Sequence, residues 1–293
     1  MTEAALKAYL QIADWPTDDA VAEMIANQAQ AAEAVRKVVT SLARAADEAA
    51  TRLGRHGRLV YAGAGTSGRI GVQDGVELGP TYGWPRQRLV FLMAGGQTAL
   101  MQAVEGAEDD HGKGVEEAQG LHLTTTDVVI GLAASGSTPY TIGVIEAARA
   151  AGALTIGLAN KLPAPLCQAA EIGILIETGA EVIAGSTRMK AGTAQKIALN
   201  VLSTAIMIRQ GLVYEGRMVA MQISNRKLLA RGKAMIVELT GCQDAQAAVA
   251  LDRAERNIRV AILLVKGWTL DQANADLDQW AGNLAAVLQA SPR

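Results

Sequence analysis

The sequence predicts an α/β fold: a three-layer αβα sandwich on a five-stranded parallel sheet, plus a small C-terminal helical unit. Three observations predict it. Short apolar runs alternate with stretches of helical composition between residues 58 and 177, and strands separated by helices imply parallel pairing. The run Asp127-Val128-Val129-Ile130-Gly131-Leu132-Ala133 is continuously apolar after its first residue, as a central strand covered on both faces must be. After residue 178 the strand signal stops and the remaining chain has helical composition.

Taken in order, residues 18–53 are Ala-rich and contain no Gly or Pro, which reads as one or two helices. Pro16 followed by Thr17-Asp18-Asp19 is a helix start with acids in the first turn. Strands are expected at 58–62, 88–94, 127–133, 154–159 and 172–177, with helical stretches at 98–108, 114–120 and 139–151 between them. A glycine-bounded loop, 179–187, leads into a helix over 191–210, and 218–239 reads as another. From Thr240-Gly241-Cys242 short helical segments run to the end. The expected organisation is an N-terminal helical segment (1–50), an α/β domain (51–215) and a helical region (216–293).

Composition removes several functions. Apolar residues make up 50% of the 293, much of it Ala with a single Phe, which suits closely packed helices. A net charge of −2 with no Lys/Arg cluster argues against nucleic acid, so attraction for an anion must come from a local site. Cys167 and Cys242 are too few for a disulfide framework, which points to a reducing cytoplasm. The opening Met1-Thr2-Glu3-Ala4 has no basic or apolar leader character, so no signal peptide is expected. No run approaches 18 uninterrupted apolar residues, so no membrane span is expected either. His56, His111 and His122 lack metal-ligand spacing, and no metal is expected.

The chemistry lies in two loops that succeed strands. Gly63-Ala64-Gly65-Thr66-Ser67-Gly68-Arg69 satisfies G-x-G-x-x-G, the dinucleotide fingerprint. That reading needs an acid about 20 residues on to hold the ribose hydroxyls. Here the second strand ends at Met93-Ala94-Gly95-Gly96-Gln97, with no Asp or Glu. The second loop, Ser135-Gly136-Ser137-Thr138, precedes Pro139, a residue suited to the first helical turn. In a parallel sheet both loops fall at the carboxyl edge, where ligands of open α/β sheets bind. Gly65, Thr66, Ser67, Ser135, Gly136, Ser137 and Thr138 would offer hydroxyls and backbone N–H groups at two helix N-termini, a site for one monoester phosphate. Taken singly, each loop reads better as an ordinary N-cap; two such loops ending strands in one domain favour the site.

These loops resemble those of the sugar isomerase (SIS) domain, which binds phosphosugars. More narrowly, the chain is similar to the N-acetylmuramic acid 6-phosphate etherases over roughly residues 55–265. The likeness is carried by Gly63–Arg69, Ala103–Asp109, Ala133–Tyr140, Gly185–Lys196 (GSTRMKAGTAQK), Asn200–Thr204 and Thr240–Cys242. The chain departs from the family pattern at Leu78-Gly79-Pro80, where the family has Cys-Pro-Pro, and at Ser137, where it has Arg. The resemblance implies elimination of D-lactate from C3 of the open-chain sugar and re-addition of water, with no cofactor. It maps the acid for the leaving group onto Glu77 and the base for the C2 proton onto Glu108. Arg69, Arg188 and Lys190 are candidate partners for the phosphate and the lactyl carboxylate. A phosphorylated amino sugar is the implied substrate and a homodimer the implied assembly. A non-catalytic phosphosugar sensor or an aldose–ketose isomerase would share the fold. The presence of both Glu77 and Glu108 favours the enzyme over the sensor, and the GSTRMKAGTAQK string favours the etherase over the isomerase.

Overall fold

A computed structural model of the chain describes residues 7–291, so the opening Met1–Ala4 lies outside the described residues. Contacts divide the chain into two compact units: the residues up to Gly75 with Gln87–Ala205, and Val76–Arg86 with Ile206–Arg293.

The first unit holds one five-stranded sheet, β1 (Leu59–Gly63), β2 (Leu89–Met93), β3 (Val128–Ala133), β4 (Leu154–Ala159) and β5 (Ile172–Leu175). The strand order is β2-β1-β3-β4-β5 and every pairing is parallel, as the alternation of runs predicts. Two helices precede the sheet, α1 (Thr17–Arg36) and α2 (Val39–Leu53), and α2 packs on β3, β4 and β5. The crossovers are α3 (Gly65–Val76), α5 (Thr98–Met101) with α6 (His111–Gly120), α7 (Pro139–Ala150) and α8 (Pro165–Ala169); the short α4 (Leu78–Tyr82) comes directly after α3. Side chains alternate across a strand, so Val60, Ala62 and Val129 share a core with α6 and α7, while Tyr61 and Leu132 lie beneath α3. All of β3 and β4 is buried, which is why they read as continuous apolar runs.

At the amino end of the sheet, the nearly buried Asp127 accepts from the Arg58 guanidinium at 2.7 and 3.1 Å and from the backbone N–H groups of Arg58 and Thr124, each at 2.8 Å. Burial alone would raise this carboxyl, but the Arg58 and Thr124 hydrogen bonds outweigh it and hold the pKa below the usual range. A lowered folded-state pKa contributes stability that is present above the unfolded value, about 3.9, and lost as pH falls through the folded one. Asp127→Asn is therefore expected to cost about 2 kcal/mol in urea unfolding at pH 7, with the gap from wild type narrowing below about pH 4.

Two helical expectations are corrected. The stretch 98–108 is not one helix: α5 is a single turn, Gln102 is extended (φ −130°, ψ 156°), and Gly106 is left-handed (φ 71°) before a 3₁₀ turn at Ala107–Asp109. The helix expected over 218–239 begins only at Arg226, because Asn225 is extended and its side chain caps the helix by accepting from Leu228 N–H at 2.9 Å. Residues 218–225 instead bury Val219 and Met221 in the core of the second unit.

The long α9 (Lys190–Arg209) carries the chain from the first unit into the second. The second unit is all-helical: α4 with α10 (Arg226–Thr240), α11 (Asp244–Arg253), α12 (Ile258–Val265), α13 (Leu270–Gln279) and α14 (Leu284–Ala290). Its own core includes Met235, Ile236, Leu251, Ile262, Trp268 and Leu284. The segment Val76–Arg86 is tied to it by Gln222 N–H donating to Pro80 O at 3.1 Å. Among the described residues no helix is long and apolar enough to cross a membrane.

Candidate active site

The chain leaves β1 for an edge neighbour, β2, and returns on its other side as β3, so the carboxyl ends of β1 and β3 form the topological switch point of the sheet. Gly63 is in register with Leu132, which sets the two hydroxyl loops side by side at that point.

Local sequence explains each loop. α3 starts immediately after β1, and a Cβ at Gly68 would overlap the Met93 sulfur and the Gly63 backbone, so only Gly lets the helix run this close to the strands. Thr66 and Ser67 occupy the first turn of α3, where N–H groups have no helical acceptor; the first intrahelical donor here is Gly68, to Ala64 O at 3.0 Å. Ala64 has no side-chain oxygen to cap them. After β3, Gly136 turns the chain with φ +73°, and Thr138 stands at the N-cap of α7 without a side-chain cap bond. Pro139 has no N–H, so the α7 start leaves its next donors open. Within the second loop, Gly136 N–H donates to Ala133 O at 2.9 Å and Ser137 N–H to Ser135 Oγ at 3.2 Å, so hydroxyls and the positive end of α7 are what this loop offers beside the first-turn N–H groups of α3.

A third helix start behaves differently. Fully buried Glu181 accepts from the N–H groups of Lys190 at 3.0 Å and Ala191 at 2.9 Å, so the N-terminus of α9 already holds a protein carboxylate. That start lies against the first loop, since Gly192 faces Thr66 and Ile70. Lys190, expected to meet the substrate, is buried and donates to Gln30 of α1 at 3.3 Å, and burial pushes its ammonium pKa down against the pull of Glu181. Arg188 is exposed and has no hydrogen-bond or ionic partner among the described residues.

Beside the first loop is a cavity of about 250 Å³ lined by Gly65, Arg69, Met93, Gln102, Glu105 and Glu108, among others. Three of the expected site residues, Gly65, Arg69 and Glu108, therefore share one cavity. Glu108 is exposed in the 3₁₀ turn after Gly106. Arg69 is already engaged: Nε donates to Ala99 O at 3.0 Å and Leu100 O at 3.1 Å, and Nη2 to Gln102 O at 3.1 Å. These bonds occupy the Nε–Nη2 edge of the guanidinium, while Nη1 has no hydrogen-bond partner among the described residues. Glu77 is exposed at the N-cap position of α4, belongs to the second unit, and is not among the residues lining this cavity.

Sequence reading missed a buried network behind the first loop. Asp74 on α3 accepts from Tyr61 Oη at 2.8 Å, Asn200 Nδ2 at 2.7 Å and Ser203 Oγ at 3.2 Å, joining α3 to β1 and α9. Burial first, then the Asp74 charge and hydrogen bond, raise the Tyr61 pKa well above its ordinary value, so the phenol stays a donor. The available signal was the lone acid in a Gly-rich helix.

Family comparison places the chain beside two models: the glucokinase regulatory protein N-terminal SIS domain over residues 34–149, and the SIS domain over residues 112–205. The chain is 43% identical over 288 residues to an N-acetylmuramic acid 6-phosphate etherase of Deinococcus radiodurans, covering 98% of this chain and 94% of that one. It is 44% identical over 281 residues to one of Erwinia tasmaniensis, covering 96% and 92%. Among solved structures it is similar in fold to a candidate phosphosugar isomerase involved in capsule formation from Bacteroides fragilis. There the TM-score is 0.52 at 21% identity, over 69% of this chain and 95% of that one.

Proposed function

Because this chain belongs to the N-acetylmuramic acid 6-phosphate etherase family, we propose that it is a cytoplasmic carbon–oxygen lyase that releases D-lactate from that sugar, in cell-wall amino-sugar recycling. One observation carries the reading to the site: a carboxylate, Glu108, lines the same cavity as an uncapped helix start at the switch point of the sheet. The 6-phosphate is held by the N–H groups and hydroxyls of Thr66 and Ser67 on α3 and by the hydroxyls of Ser135, Ser137 and Thr138 before α7. Helix dipoles supply the positive field without a basic cluster. Arg188 is the cation left unpaired for the lactyl carboxylate.

In the open-chain aldehyde the ether oxygen is β to C1. Glu108 takes the C2 proton, the electron pair forms the C2–C3 double bond, and the C3–O bond breaks. Glu77 gives its proton to the departing lactate oxygen. Water then adds to C3 and a proton returns to C2, giving N-acetylglucosamine 6-phosphate. The chain pairs as a homodimer in this reading; the apolar face of α1, with Val21 and Ile25 exposed, supports it.

The direct test is incubation with N-acetylmuramic acid 6-phosphate and measurement of D-lactate; folded protein that releases none would sink the reading. Ser67→Ala and Ser135→Ala are expected to raise KM about tenfold with kcat within about twofold, since a phosphate contact stabilises ground and transition states alike. An effect on kcat alone would remove these hydroxyls from the phosphate site.

A further inference from the structure

We propose that Arg69 is a positioning residue that sets the placement of Glu108 from the phosphate-binding helix; the inference rests on the role given to Glu108 above. Its guanidinium holds three carbonyls, those of Ala99, Leu100 and Gln102, at the C-terminal end of α5. A four-residue helix has almost no stability of its own, and its last carbonyls lack helical N–H partners. A guanidinium laid across them supplies both donors and a positive charge at the negative end of the turn.

The arm that leaves α5 needs such an anchor. Residues 103–105 make no backbone hydrogen bond to any described residue, and all three are exposed. Val104 alone folds back, onto Gly95. The arm is fastened at Gln102 by Arg69, at Ala107, which packs against the core shared with α7, and at Asp110, whose carboxylate caps α6 by accepting from Lys113 N–H at 2.8 Å. Glu108 lies between these fastenings. Arg69 is two residues past Ser67 on α3, so one rigid helix carries both the phosphate donors and the anchor for the base. The arm is thereby held in register with the bound sugar. Lysine would replace the planar three-carbonyl grip with a single point charge.

The test uses Arg69→Ala and Arg69→Lys in the full chain, with three measurements: steady-state D-lactate release, competitive inhibition by inorganic phosphate, and hydrogen exchange in peptides spanning 59–76 and 98–109. Arg69→Ala is expected to lower kcat about 100-fold, the scale of a roughly 1 Å misplacement of a reacting group. The phosphate inhibition constant should stay within about twofold, because phosphate meets α3 and α7 and not Arg69. Exchange should accelerate in 98–109 while 59–76 is unchanged, and Arg69→Lys should fall between Ala and wild type. If Arg69→Ala does not fold, the lysine variant carries the same three readouts. A normal kcat with a phosphate constant weakened about tenfold or more would make Arg69 an anion ligand and overturn the proposal. Unchanged exchange in 98–109 would overturn it too. The exchange arm needs no turnover: a wild type that releases no lactate counts against the etherase reading, and the exchange result still decides the anchoring.

Discussion

Glu108→Gln is expected to lower kcat/KM for D-lactate release about 10³-fold while leaving the fold intact. General acid–base groups contribute roughly 10²–10⁴ in rate, and an amide cannot accept the C2 proton. The fold should not notice the change, because Glu108 is exposed and makes no hydrogen bond or ion pair with any described residue. Glu77→Gln is expected to stop release to a similar extent for a different reason, and deuterium separates the two. In D₂O, Glu77→Gln should exchange the substrate's C2 hydrogen without releasing lactate, since the base is intact and only the leaving group lacks its proton. Glu108→Gln should do neither. Exchange by Glu108→Gln but not by Glu77→Gln would reverse the assignment of base and acid. Full activity in both would remove the carboxylate pair from the mechanism.

Asp74→Ala carries the second large effect, on stability. The carboxylate is 3% exposed and receives three hydrogen bonds from β1 and α9. Its removal strands the fully buried hydroxyl of Tyr61 and the buried Ser203 hydroxyl, each having lost its acceptor, while the exposed Asn200 amide can turn to water. Two such losses, partly offset by no longer burying the carboxylate, amount to about 3 kcal/mol, against a typical total of roughly 5–15 kcal/mol. Urea unfolding at pH 7 measures it. Asp74→Asn should cost less, because its amide oxygen can keep one or two of the donors. A loss under about 1 kcal/mol in Asp74→Ala would mean that water takes over the network unaided.

The sheet was legible because its signal is local. A strand buried on both faces must be apolar residue after residue, and 128–133 and 154–159 are, so the expected and observed strands differ by only a residue or two at most ends. The hydroxyl loops were legible for the same reason: glycine and hydroxyl residues after an apolar run are a turn and a helix start in any context. The missing acid after Met93 was enough to set aside a dinucleotide. The stretch 98–108 misled because Ala, Leu, Met and Gln favour helix intrinsically, whereas the chain leaves the helix at an extended Gln102, held by Arg69, and turns at a left-handed Gly106.

What the sequence determined by itself was the architecture, the two glycine and hydroxyl turns that start helices and the likeness that names the family, all of which are written in short stretches of chain. Only the tertiary structure decided which charged groups are free to act. Arg69 answers to carbonyls some 30 residues away, Lys190 to Gln30 across 160, and Asp74 to Asn200 across 126. A side chain's hydrogen-bond partner is set by where the fold brings distant backbone and side chains together, and composition carries no trace of that distance. The same rule leaves Glu108 free and Arg69 holding its arm, a division of labour that the motif Gly63–Arg69 does not spell out.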